Sequence, residues 1–171
     1  MNGYGGKKGN NDNFRNNGNN RSNNGSKPKN KKSKVEDYII EYKKLDKNNY
    51  VNIAENAIKS LEKSKKEAGV KVLTTSKIRN LLAMTAAIYN DIIDSKKEEL
   101  SDDIIGDIQY LKVRFLYESG REPSVKAFTQ ISNILKYIDD IDGSREGFIL
   151  FSRYMEALVA FRKFLIDSKD E

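Results

Sequence analysis

The stretch FILFSRYMEALVAFRKFLI, residues 148–166, decides the fold class of this chain. Fourteen of its 19 positions are apolar or aromatic. A segment this long and this apolar is predicted to be a helix that is buried on most of its sides. Four charges within it argue against a membrane-spanning helix. We therefore predict the central helix of an α-helical bundle. Its polar positions are Ser152, Arg153, Glu156, Arg162 and Lys163.

Four further helices are predicted upstream, where apolar residues recur every three or four positions. The first covers residues 49–66 and is stopped by Gly69, because glycine often follows the last helical turn. The second begins at the hydroxyl residues 74–76, which can accept hydrogen bonds from the free N–H groups of a helix start. The third is opened by Ser101 and is predicted to end at Gly120.

The fourth helix has Pro123 in its first turn and is predicted to continue to residue 138. A turn over residues 142–144 separates it from the last helix, and residues 35–45 are predicted to add a helical turn or two. No alternating apolar run predicts a strand. The predicted fold class is therefore all-α, a compact bundle of about five helices in a single domain over residues 35–171. The residues predicted to face the core are Val51, Ala54, Ile58, Leu61, Ile78, Leu81, Leu82, Thr85, Ile88, Tyr89, Ile92, Ile104, Ile108, Leu111, Phe115, Phe128, Ile131, Leu135 and Ile138.

Residues 1–34 differ sharply in composition from the rest of the chain. They contain 11 Asn and 6 Gly, and their nine cations face the single acid Asp12. The formal net charge of +6 therefore comes from this segment, because the remaining residues sum to −2. A segment with so few apolar side chains is predicted to be disordered. It has no apolar run typical of a secretory signal, and two readings stay open: a basic arm for phosphates or a solubilising extension.

The absence of His, Cys and Trp excludes many kinds of active site. No Cys or His nucleophile, Ser–His–Asp triad or His general base is available. A structural zinc site would lack both thiolate and imidazole ligands. A chain without cysteine cannot form disulfides, which fits the reducing cytoplasm.

Other signals of catalysis are also weak. Neither a G-x-x-x-x-G-K-[ST] loop nor a G-x-G-x-x-G motif occurs. Carboxylates are paired at residues 98–99, 102–103 and 139–140, but neighbours in a helix point about 100° apart and do not converge on one metal. We interpret these pairs as solvated surface, and we predict a protein that is not an enzyme and that holds no metal and no cofactor.

The cations of the folded part are more informative. Lys77 and Arg79 lie in the predicted first turn of the second helix, where backbone N–H groups and the helix dipole also favour a phosphate oxygen. The alternative is that Thr75 and Ser76 simply cap the helix while the cations are solvated. From residue types alone that alternative is favoured.

Aromatic residues and arginines alternate along the third helix, at Tyr110, Arg114, Tyr117 and Arg121. Such a strip can stack on bases or sugars and pair with phosphates. The favoured alternative has both tyrosines packed in the bundle and Arg114 paired with Glu118. Along the last helix, a narrow cationic edge is predicted, which is usually solvated. Its residues are Arg145, Arg153, Arg162 and Lys163.

Three blocks carry a resemblance to a known family: LTTSKIRN at 73–80, YLKVRFLYESGREPSV at 110–125 and RYMEALVA at 153–160, which FRKF follows. In this order and spacing they resemble the small subunit of the type III-A CRISPR effector, the Csm complex. Residues 49–63 are also similar, so that the resemblance covers roughly residues 49–167.

The resemblance implies a cytoplasmic helical protein of antiviral defence that stacks in several copies as an inner filament of a ribonucleoprotein. Its implied partners are guide RNA paired with target RNA, a repeated backbone subunit, a large subunit and adjacent copies of itself. RNA cutting is implied for the backbone subunit, and DNA cleavage and cyclic oligoadenylate synthesis for the large subunit. No active site is implied for this chain.

The resemblance also favours certain cations as RNA contacts: Lys77, Arg79, Arg121 and Arg153, followed by Arg114, Arg145 and Arg162. A subunit that accepts any guide must contact phosphates rather than bases. The alternative from another class is a purely structural adaptor whose apolar last helix docks a protein subunit without RNA contact.

Overall fold

Six α-helices make up most of residues 35–93 and 97–166, the part of the chain that the structure, a computed structural model, describes. They are α1 (Tyr50–Ala68), α2 (Thr75–Ile93), α3 (Asp102–Arg121), α4 (Pro123–Ile131), α5 (Ile134–Asp139) and α6 (Arg145–Leu165). A 3₁₀ turn, Glu36–Tyr38, precedes them, and no β-strand occurs within these residues. The predicted all-α fold is confirmed. The predicted disorder of residues 1–34 falls outside the described residues.

Helix α6 lies at the centre because its apolar side chains are covered from several directions. It packs against α1, α2 and α5. Burying one large apolar side chain stabilises a fold by roughly 1.5–3 kcal/mol, so this helix contributes much of the hydrophobic stabilisation. The prediction of a buried central helix is confirmed. Its large buried side chains are Phe148, Phe151, Tyr154, Met155 and Leu158.

The helix ends follow from local chemistry. The hydroxyls of Thr74, Ser101 and Ser144 each accept a hydrogen bond from the backbone N–H three residues on, at 3.4, 3.5 and 3.2 Å. These bonds satisfy donors that a helix start leaves free. Gly69 ends α1 with a φ of +64°, a conformation that side chains rarely adopt. The predicted helix-end residues are confirmed at Gly69, at Ser101 and, among the hydroxyl residues 74–76, at Thr74. Ser144 was predicted only as part of a turn.

Two local predictions are wrong. Val51 is 42 % exposed because it lies in the first turn of α1, at the edge of the buried face; Ile53 and Ala57 are buried. Helix α3 does not end at Gly120 but runs one residue further. It stops where it does because the residue before Pro123 is sterically pushed out of the helical region.

The predicted fourth helix is divided into α4 and α5. Between them Asn133 adopts a φ of +53°, so the helical path is interrupted. The freed backbone groups find other partners: the N–H of Ile40 donates to the carbonyl of Ile131 at 3.2 Å, and the hydroxyl of Tyr154 donates to the carbonyl of Ser132 at 2.8 Å. The Asn133 amide donates in turn to the carbonyl of Ile40 at 2.9 Å. Because these partners are distant in sequence, no local pattern indicates the break.

Of the helical turn or two predicted for residues 35–45, the structure has the single 3₁₀ turn Glu36–Tyr38. After the 3₁₀ turn the segment is irregular, and Tyr42 stacks on Tyr137 with ring centroids 5.7 Å apart. The hydroxyl of Tyr42 donates to Asp140. Burial raises the pKa of Tyr137 to about 12. Aromatic stacking thus joins this segment to the core beside the α4–α5 break.

Candidate nucleic-acid interface

The seven cations predicted to contact RNA do not form one surface. Arg145 and Arg153 line one open cavity, and Lys77 and Arg162 line another. Arg114 and Arg121 lie exposed on α3, and Arg79 lies exposed on α2. The cations of these groups differ in their partners.

The first cavity has a volume of about 560 Å³ and lies beside the start of α6. Lys47 and Lys97 also line it, so that four cations surround it together with Glu98 and Glu146. Lys47 pairs with Glu146 at 2.6 Å between Nζ and Oε1, and this hydrogen bond lowers the pKa of the Glu146 carboxyl. The mixture of cations and carboxylates leaves an excess of positive charge at the wall.

The two predicted arginines of this cavity differ in their hydrogen bonds and exposure. Arg145 donates from Nε to the carbonyl of Ile92 at 3.3 Å and from Nη2 to the carbonyl of Ile93 at 2.8 Å. These carbonyls end α2, where a cation is favoured by the helix dipole. Arg145 therefore joins the ends of two helices. Arg153 is exposed on α6.

The second cavity, of about 360 Å³, lies at the loop between α1 and α2, and Lys65 and Lys71 also line it. Lys77 pairs there with Glu122, and the hydroxyl of Ser124 donates to the same carboxylate at 2.9 Å. The hydrogen bond from Lys77 is the main reason why the pKa of Glu122 is lowered. Lys77 thus connects α2 to the start of α4.

Arg162 lines the second cavity and is itself buried. It is only 7 % exposed, and its Nε donates to the carbonyl of Leu73 at 3.2 Å. Arg153 lies nine residues earlier, half a turn around the helix, and faces solvent. The predicted cationic edge along the last helix is therefore wrong, since these two arginines lie on opposite sides.

Lys77 and Arg79 are not brought together either. Positions two apart on a helix differ by about 200° in direction, and the buried Ile78 lies between them. Lys77 faces the second cavity, whereas Arg79 is exposed and does not line it. One phosphate cannot be bound by both side chains together with the helix start.

The aromatic residues of α3 are exposed. Tyr110 and Tyr117 are 62 % and 56 % exposed, so the favoured alternative that packed them in the bundle is wrong. The inward face of α3 is taken by Ile108, Leu111 and Phe115, as predicted, and the tyrosines lie outside that stripe. Glu118 pairs with Arg121, at 3.5 Å, rather than with Arg114. The guanidinium of Arg121 also lies 5.5 Å from the Tyr117 ring centroid.

The family model described as Csm2 Type III-A matches residues 44–168. The chain belongs to the type III-A Csm2 family. A relative in Streptococcus thermophilus, "CRISPR system Cms protein Csm2", is 46 % identical over 116 residues, which cover 68 % of this chain and 90 % of that protein. A protein of the same name in Mycobacterium tuberculosis is 42 % identical over 99 residues, 58 % of this chain and 79 % of the relative.

The part that matches the Csm2 family contains both cavities, α3 and all seven predicted cations. The 3₁₀ turn and Tyr42 lie before the matched residues. Lysines at 47, 65, 71 and 97 line the cavities but were not among the predicted contacts. No sequence signal marks them, because the fold brings together distant segments: Lys47 and Lys97 are 50 residues apart, and Arg162 lies about 90 residues beyond Lys71.

Within the described residues, no group of three or more carboxylates is placed so that it could hold a metal ion. None of the described helices has the length and apolar character needed to cross a membrane.

Proposed function

We propose that this chain is the non-catalytic small subunit of a cytoplasmic type III-A CRISPR effector, the Csm complex, and that it binds the paired guide and target RNAs through their phosphates. Membership of the Csm2 family is the observation that carries this proposal. The names of the relatives place those proteins in a CRISPR system. The partners implied for this chain are the RNA duplex, the repeated backbone subunit, the large subunit and neighbouring copies of itself.

Phosphate contact is the chemistry that such a role requires. Every guide has a different base sequence, so contacts that hold all guides must go to the sugar-phosphate backbone. Cations at the rim of an open cavity suit this task because they attract phosphates without reading bases. Each copy would provide few contacts, and stacking several copies along one duplex would raise the overall affinity.

The predicted contacts divide into exposed cations and cations that also support the fold. Arg79 and Arg153 present exposed side chains, and we propose them as primary phosphate contacts. Lys77 is shared with Glu122, so a phosphate would compete with that carboxylate. Arg145 and Arg162 donate to backbone carbonyls, and we propose that they shape the cavity walls and add long-range positive potential.

The experiment compares two charge-matched double variants in the full complex. Arg79→Gln with Arg153→Gln removes two proposed contacts, while Lys63→Gln with Lys126→Gln removes two exposed lysines that are not among the predicted contacts. We expect the first variant to retain less guide–target RNA as salt rises and to lower the salt slope of binding by about one per lost contact. The second variant should behave as wild type.

Equal behaviour of the two variants would argue against phosphate contact at these residues. The adaptor alternative would then gain, provided that both variants still join the complex. The docking surface predicted for that adaptor was the apolar last helix. It lacks support, because α6 buries its large side chains in the chain's own core. Phe164, which is 72 % exposed near the end of α6, is an exception.

A non-catalytic role has a separate test. Purified chain incubated with RNA, single-stranded DNA and divalent cations should cleave neither substrate. Turnover that depends on the divalent cation and disappears when Asp102 and Asp103 are replaced by Asn would contradict the proposal.

A further inference from the structure

Each of the two cavities contains an ion pair between a lysine and a glutamate that come from distant parts of the chain. In the first cavity, Lys47 precedes α1 and pairs with Glu146 in the first turn of α6. In the second cavity, Lys77 in the first turn of α2 pairs with Glu122, which lies directly before α4. The same arrangement therefore occurs twice: a lysine of the cavity wall holds a carboxylate at the start of a helix.

The carboxylates do not neutralise the cavities that hold them. Four cations and two carboxylates line the first cavity, which leaves two positive charges in excess. Four cations and one carboxylate line the second cavity, which leaves three. Both walls therefore attract further anions even while the ion pairs are formed.

Both ion pairs are exposed enough to open readily. The side chains of Lys47 and Glu146 are 71 % and 68 % exposed, and those of Lys77 and Glu122 are 43 % and 33 % exposed. Ion pairs at this level of exposure contribute little to stability, because water solvates the separated charges almost as well. Each lysine can therefore exchange its carboxylate for another anion while the fold stays intact.

A glutamate at either position presents chemistry that an RNA phosphate shares. Both are anions that accept charge-assisted hydrogen bonds from a lysine, and the start of a helix favours both. At Glu122, the hydroxyl of Ser124 is a second donor, at 2.9 Å. A phosphate oxygen that takes this place finds two donors already oriented. At Glu146, the exposed Arg153 lines the same cavity and supplies a second cation.

We propose that Glu146 and Glu122 occupy, in the free chain, two positions that RNA phosphates take in the complex, and that each phosphate displaces its glutamate from the paired lysine. This inference rests on the proposed function, to which it adds Lys47 as a contact and a control on binding. A single phosphate ion competes poorly with a carboxylate tethered at the site, whereas a strand held by neighbouring contacts arrives at a high effective concentration. The pairs therefore oppose isolated anions more than they oppose the RNA duplex.

Two charge-matched double variants of the full chain test the displacement. Glu122→Gln with Glu146→Gln removes both competing carboxylates, whereas Glu55→Gln with Glu62→Gln removes two carboxylates that pair with lysines one turn away in α1. Fluorescence anisotropy with a mixed-sequence RNA duplex at low salt should show the first variant binding about threefold to tenfold more tightly than wild type, because no pair has to open. The second variant should stay within about twofold of wild type. An equal gain in both variants would reduce the effect to net charge and overturn the proposal.

A double-mutant cycle at the first cavity distinguishes displacement from a purely structural ion pair. Lys47→Gln alone removes the phosphate contact but also the pair that must open, so RNA affinity should fall by less than about twofold. In the Glu146→Gln background the same substitution should lower the affinity about threefold to fivefold, because Lys47 is then wholly available to phosphate. Equal losses in the two backgrounds would show that Glu146 keeps its lysine when RNA is bound. No loss in either background would show that Lys47 does not contact RNA, and both results would overturn the proposal.

A comparison with the arginine variant separates failure of the displacement from failure of the proposed RNA binding. If Arg79→Gln with Arg153→Gln weakens binding in the same assay while the variant of Glu122 and Glu146 binds as wild type, the RNA contact stands and the displacement is wrong. If the wild type and all variants fail to bind RNA at low salt, both proposals are wrong. Circular dichroism checks that every variant keeps its helicity, which we expect because the substituted side chains pair at the surface.

Discussion

Helices α3 and α6 have nearly the same length, 20 and 21 residues, but they differ in how many of their apolar side chains are buried. Helix α6 buries Phe148, Phe151 and Leu158 in the core. Helix α3 buries one stripe and leaves Tyr110 and Val113 more than half exposed on the other side. The apolar residues of α6 therefore serve folding, whereas α3 leaves part of its own exposed.

The largest expected effect comes from truncating the core side of this comparison. Phe148→Ala removes a fully buried ring from α6 and should lower the free energy of unfolding by about 3–5 kcal/mol. Tyr110→Ala removes a mostly exposed ring from α3 and should change it by no more than about 0.5 kcal/mol. Urea unfolding at low protein concentration measures both. Similar losses in the two variants would mean that α3 is packed as α6 is.

The contrast between these helices was partly predictable from sequence. Helical periodicity correctly placed Ile108, Leu111 and Phe115 on the inward face of α3. The favoured prediction nevertheless packed Tyr110 in the bundle, although it lies outside that stripe. The break between α4 and α5 was not predictable, because it depends on Ile40, which lies about 90 residues away along the chain. Local patterns specify helices well but do not reveal the distant backbone partners that can interrupt them.

The second prediction compares two arginines on α6. Arg162→Ala removes the donor that the Leu73 carbonyl uses inside the fold and should cost about 1–3 kcal/mol of unfolding free energy. Arg153→Ala, at an exposed position of the same helix, should cost no more than about 0.5 kcal/mol. Thermal or urea denaturation of the purified variants distinguishes them. A stable Arg162→Ala protein would show that the buried guanidinium is dispensable for folding.

These arginines also show which features of the site could not be predicted from the sequence. Residue type and helix position identify both as cations of the last helix, but their burial differs because Arg162 faces the loop between α1 and α2. The lysines at 47 and 97 line one cavity although 50 residues separate them. A phosphate-binding surface has no fixed spacing, so its members become visible only when the fold brings them together.

The third prediction compares a glycine of α3 with a glycine of α6. Gly106→Ala in α3 should raise the free energy of unfolding by about 0.5–1 kcal/mol, because the new methyl group meets open space and alanine favours helix. Gly147→Ala in α6 should have the opposite sign, since its Cβ would lie 2.9 Å from the Ile141 carbonyl oxygen. Denaturation curves give both signs. Destabilisation by Gly106→Ala would show that another part of the protein packs closely against α3 at this position.

The smallest effect expected is a pH dependence that one carboxylate contributes at the second cavity. The hydrogen bond from Lys77 lowers the pKa of Glu122 below its usual 4.5 in the folded chain. The unfolded chain therefore binds this proton more readily, so the contribution to stability is present above about pH 4.5 and is lost as the pH falls through the folded pKa.

Glu122→Gln should flatten the fall of the urea midpoint below pH 4.5, while Glu146 with Lys47 continues to titrate at the first cavity in both proteins. An unchanged acid slope in the variant would mean that the ion pair of Lys77 and Glu122 does not persist in solution, and that Lys77 is as free for phosphate as the exposed Arg153.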